Sequence, residues 1–137
     1  MPLDLIIGVV LIAHGIGHSL GYFPIFGWAT AAGWSGDSWL LTGPFGSNVA
    51  NAIAVVLWTV ALVGFVGAGL GILGLAVPGA WIRPLAVVAA VASLAGVVLF
   101  WDAFPSIVSK VGAIAIDVAV LWAVLVGHWP STDVVPG

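Results

Sequence analysis

Four long apolar stretches, separated by runs rich in Pro, Gly and Trp, leave this chain few ways to fold. They cover about residues 4–22, 48–75, 83–101 and 106–128, and each approaches or exceeds the ~20 residues a helix needs to cross a bilayer core. In hydrocarbon the backbone must satisfy its own polar groups, so segments of this length and apolarity read as helices. Two basic and five acidic side chains among 137 residues fall far below the roughly one quarter charged residues of a soluble domain. With 63% hydrophobic residues and a mean hydropathy of +1.30, such a chain has too little polar surface to be solvated by water. The sequence therefore predicts an all-α fold, an integral membrane four-helix bundle. It predicts one domain over residues 1–137, with the lipid bilayer as its first partner.

Several function classes drop out on composition. The absence of cysteine excludes disulfides, thiolate metal sites and CxxC redox chemistry. The charges are scattered, and no basic cluster points to nucleic acid. The start, MPLD, lacks the basic region of a cleaved signal peptide, so the first segment is expected to stay in the mature chain.

Glycine patterns predict how the helices pack. In the first segment Gly17 and Gly21 form a small-xxx-small face, with Gly8 and Gly15 narrowing the helix, and Pro24 is expected to end it. Gly64, Gly67, Gly71 and Gly74 make a stripe in the second segment, whose expected N-cap is Ser47. Ala86, Ala89, Ser93 and Gly96 share a face in the third. The connection between the first two helices carries Trp28, Trp34 and Trp39, which suggests an interfacial loop. A short interfacial helix capped by Asp37 or Ser38 is expected there, and the loop could act as a lid over a site opening at that face.

Four crossings put both termini at one end, with Asp4, Arg83, His128 and Asp133. The Trp loop, Asp37, Asp102 and the Lys110 end of the last helix lie at the other. Arg83 and the free amino terminus favour a cytoplasmic location for the first end under the positive-inside rule, in a bacterial cytoplasmic membrane.

Polar residues inside the apolar segments are the functional lead, because each is costly at membrane depth and calls for a partner. His14 and His18, four apart, share one face of the first helix. His14 lies ~15 Å from the terminal end and Asp117 ~16 Å from the loop end at helical rise, so both fall near the midplane of a core ~30 Å thick. His18 lies one turn nearer the loop end, at a depth where Asn51 and Lys110 are also candidates to reach it. Lys110 has the alternative of turning to the interface and pairing with Asp102. His14, His18 and Asp117 are accordingly expected to line one pocket beneath the Trp loop.

Such a set fits more than one ligand. Histidines at i and i+4 can chelate a divalent metal, with Asp117 as third ligand, but HGIGH lacks the glutamate base of an HExxH metalloprotease. A quinone head group can hydrogen-bond to His and Asp, and haem or chlorin held by a single histidine is a further candidate. Nothing here points to a stand-alone enzyme. A redox-linked binding protein, an accessory subunit contacting other membrane subunits or a second copy of itself, and a small transporter or proton path are the alternatives.

The stretch HGIGHSLGY resembles the HGxxHxxGF pattern of a loose family of small, uncharacterised four-helix bacterial membrane proteins. The resemblance continues through LWTVALVGFVGAGLGILG and WIRPLAVVAAVASLAGVVLFWDAFP. More distantly the chain is similar to the DoxX-like proteins, in whose first helix a Lys stands where this chain has His18. The resemblance implies four membrane helices and attention to the histidine pair. The wider group includes subunits tied to quinone-linked sulfur oxidation.

Overall fold

The computed structural model describes residues 2–131, and their regular elements are all helical. Helix α1 covers Pro2–Gly17 and tightens into a 3-10 turn at His18–Gly21, and the short α2, Tyr22–Phe26, follows. Helix α3 covers Thr42–Ile72, α4 Ile82–Leu99 and α5 Ile107–Leu125. The four long helical segments, α1 with its continuation through α2 among them, are long and apolar enough to cross a membrane. Asp133 and the rest of the polar tail lie outside the described residues.

The first helical segment passes the expected stop at Pro24. Proline sits in the first turn of α2, where its missing N–H leaves no ladder bond unmade. The helix ends instead at Gly27, which takes a left-handed conformation (φ 66°) that disfavours side chains with a Cβ. In α3 the break comes at Gly46 (φ 81°, ψ 162°), just ahead of the expected cap Ser47. Ser106 caps α5, its hydroxyl accepting from the Ser109 amide at 3.1 Å.

Helix α1 packs on α3, α3 on α4 and α4 on α5, whereas α1 and α5 make no extensive contact with each other. Close backbone approach explains the α1–α3 contact. A Cβ on Gly69 would lie 2.7 Å from the Gly8 carbonyl oxygen, and one on Gly15 would lie 3.0 Å from that of Leu62. Gly17 faces open space, so the packing face runs through Gly8 and Gly15 rather than through Gly17. Gly64 meets Ala89 of α4, as the stripe predicts, while Gly74 serves the following turn with φ 69°.

Two apolar clusters form the interior. One gathers Leu11, Phe65 and Val124 with the alanines of α4, and the other gathers Trp58, Val97, Phe100 and Phe104. Trp58 fits between helices because Gly21 and Gly96 present no Cβ to its ring. The segment over 27–41 forms no interfacial helix. Buried Ser38 donates to the Leu99 carbonyl at 2.7 Å and accepts from the amides of Leu40 and Leu41, holding the loop as a turn. Trp34 and Trp39 donate their indole N–H groups to the carbonyls of Ala103 and Val98, both at 2.7 Å. The loop is thereby tied to the end of α4 and the α4–α5 turn. At the opposite end Arg83 donates to the carbonyls of His128 and Pro130, which joins the start of α4 to the chain beyond α5.

Candidate functional site

Between the two apolar clusters, α1, α4 and α5 each contribute polar side chains to one buried hydrogen-bond chain. His14 Nε2 donates to Asp117 Oδ1 at 2.9 Å, and Ser93 Oγ lies 2.5 Å from Asp117 Oδ2. Ser93 Oγ is also 2.6 Å from His18 Nε2, and His18 Nδ1 donates to the His14 carbonyl at 2.9 Å. His18, Ser93 and Asp117 are 2%, 0% and 0% exposed, so each must find its partners within the protein. Phe65 packs edge-on to the His14 ring at 4.6 Å, and Phe104 and Trp58 stand about His18 at 6.0 and 5.9 Å.

Counting protons fixes the tautomers. The His14 carbonyl can only accept, so His18 carries a proton on Nδ1. Ser93 has a single proton to share between Asp117 and His18. Two arrangements without net charge satisfy every bond. In one, a protonated Asp117 donates to Ser93, which donates to a neutral His18. In the other, His18 is an imidazolium that donates to Ser93, which donates to the Asp117 carboxylate. They differ by moving a proton along Asp117–Ser93–His18. In both, His14 is neutral with its proton on Nε2, which leaves Nδ1 as a bare acceptor. Among the described residues no protein atom donates to it.

His14 and His18 form part of the wall of a cleft of about 270 Å³ between α1 and α5, together with Leu20, Phe104, Ser109 and Ile116. The cleft follows from the gap between the first and last helices. Its walls contain none of the loop tryptophans, so the expected lid beneath Trp28–Trp39 gives way to an opening between two helices.

The structure brings His14, His18 and Asp117 together, but not as a set of metal ligands. Both nitrogens of His18 and both oxygens of Asp117 are engaged, and among the described residues no three His, Cys, Asp or Glu side chains are grouped to hold a metal ion. Asn51 stays apart from the histidines. Its Oδ1 is buried beside Gly36 of the loop and has no hydrogen-bond partner. Lys110 takes its alternative, 3.6 Å from Asp102 and with its Nζ 4.9 Å from the centroid of the Trp101 ring.

Ser93 is the residue that the sequence reading assigned only to helix packing. Its signal was present: ten residues from Arg83, or ~15 Å at helical rise, it shares the depth of His14.

Comparison with family models, curated proteins and solved structures finds no match to this chain.

Proposed function

We propose that the chain is a membrane-embedded binding protein for a lipid-soluble molecule with a hydrogen-bonding ring head, of the quinone and quinol class, held in the cleft beside His14. The observation that carries this reading is the unpartnered Nδ1 of His14. Every other polar atom of the network is paired, so the network offers a single acceptor to a largely apolar cleft. A quinol hydroxyl is a donor of the right kind, and an imidazole is the side chain suited to exchange its proton. The Asp117–Ser93–His18 chain adds a route for proton displacement that creates no net charge. Four apolar helices and the scarcity of charge support the membrane setting. Arg83 at the terminal end supports a cytoplasmic location for that end. A metal would have to displace existing bonds of His18 and Asp117.

The test uses the protein in lipid nanodiscs, titrated calorimetrically with the reduced form of 2,3-dimethoxy-5-methylbenzoquinone and corrected for empty nanodiscs. His14→Gln is the informative variant. Its amide nitrogen can stand in for Nε2 toward Asp117, but it places no acceptor at Nδ1. Loss of one such bond is expected to weaken binding about tenfold. Equal binding by both proteins, or none by the wild type, overturns the reading.

A further inference from the structure

The gap between α1 and α5 continues past the His14–Asp117 bond toward the end that holds the termini. There it opens into a second groove, of about 530 Å³, whose walls include Ile6, Val10, Ala119, Trp122 and Ala123 and contain no charged side chain. Ile116 belongs to both walls, so the groove and the cleft adjoin along one seam. The bridge at mid-seam divides the half that contains the two histidines and Ser109 from a half walled almost wholly by apolar side chains.

From this arrangement we infer that the ligand is a single-chain lipid, its ring head in the cleft beside His14 and its apolar chain in the groove beyond Ile116. The inference rests on the binding reading above and adds the second half of the molecule. Size supports it. At about 270 Å³ the cleft lies just below the ~300–1,000 Å³ usual for small-molecule sites, enough for a ring and little more. A lipid-soluble molecule must place its remaining bulk somewhere, and the groove shares a wall with the head site. Its direction also fits. From His14 to Leu3, another groove residue, α1 rises ~16 Å, a path that carries a chain from the middle of the bundle away from the loop end and toward the end that holds the termini. A chain moved from bilayer to groove gains no hydrophobic free energy, so position rather than affinity is the proper readout.

The experiment uses a decyl-substituted benzoquinol with a photoreactive diazirine at the end of its chain, and a matched decyl diazirine without the ring. Both are irradiated with the protein in nanodiscs, and labelled residues are identified by mass spectrometry. The ring-bearing probe is expected to label groove residues such as Ala119 and Ala123 in preference to Val56 and Val91, which are exposed on α3 and α4. His14→Gln is expected to lower that groove labelling about tenfold, in step with loss of the head hydrogen bond. The ringless probe should label exposed positions without preference and without response to the variant. If both probes label alike while the chainless quinol still binds in a His14-dependent way, the chain does not occupy the groove and the head reading survives alone. If the chainless quinol does not bind either, both readings fall.

Discussion

His14 and Asp117 lie 103 positions apart and meet through one hydrogen bond of 2.9 Å. That bond joins the first and last long helices, which otherwise stand apart, and it separates the cleft beside the histidines from the apolar groove. It also sets the tautomer of His14, since a ring that gives its Nε2 proton to Asp117 keeps Nδ1 free to accept.

Asparagine at position 117 reproduces one of the two proton arrangements without a titratable group. Its carbonyl accepts from His14, its amide donates to Ser93, and Ser93 donates to His18. Asp117→Asn is therefore expected to retain stability within about 1 kcal/mol, whereas Asp117→Leu strands His14 Nε2–H at a cost of about 1–3 kcal/mol. Thermal unfolding in one detergent compares them. Equal stability of the two variants would show that the network contributes nothing to the fold.

Ser93 connects Asp117 to His18, so removing its hydroxyl and removing the Asp117 carboxylate disrupt the same chain. The energies of Ser93→Ala and Asp117→Leu should not add, with a coupling of about 0.5–3 kcal/mol in a double-mutant cycle. Additivity within error would mean that the two bonds of Ser93 act independently.

The meeting of His14 with Asp117 was legible in the sequence because helical rise is constant and the ends of apolar segments are easy to place. The same arithmetic applied to Ser93, but a hydroxyl among alanines reads as a small packing residue until its partners are known. Asn51 was placed wrongly because depth alone does not say which way a helix face turns, and the residue sits under the loop at Gly36. The choice of Gly15 over Gly17 is an angular question of the same kind, decided by the neighbouring helix. The loop's anchorage was invisible for another reason. Trp39 and Trp34 bond to main-chain carbonyls 59 and 69 positions away, and a carbonyl carries no sequence signature.

Glycine contacts give a prediction about the bundle itself. A Cβ at position 69 would lie 2.7 Å from the Gly8 carbonyl oxygen, a backbone atom with little freedom to retreat, while one at Gly17 meets nothing within 4 Å. Gly69→Ala is expected to destabilise the protein by about 1–3 kcal/mol through overpacking. Gly17→Ala should be neutral or stabilising by up to about 1 kcal/mol, as alanine favours helix. Unfolding midpoints in a common detergent decide it, and the reverse order would refute the α1–α3 contact.

The arrangement of the ends gives the most direct test of membrane topology. Arg83 bonds to the carbonyls of His128 and Pro130, which sets the α3–α4 turn beside the chain beyond α5. Trp34 and Trp39 bind the loop to the other end of α4. Ala80 and Ser131 are exposed at the first end and Asp37 is exposed at the second. The chain has no cysteine, so single introduced thiols report cleanly. A membrane-impermeant maleimide applied to sealed vesicles should reach Ala80→Cys and Ser131→Cys from the same side and Asp37→Cys from the other. If the positive-inside rule governs this chain, inside-out vesicles will expose the first two. Right-side-out vesicles exposing them instead would reverse the orientation but keep the four crossings. Labelling of Ala80→Cys and Ser131→Cys from opposite sides would remove one crossing, and with it the shared membrane depth on which the seam between α1 and α5 depends.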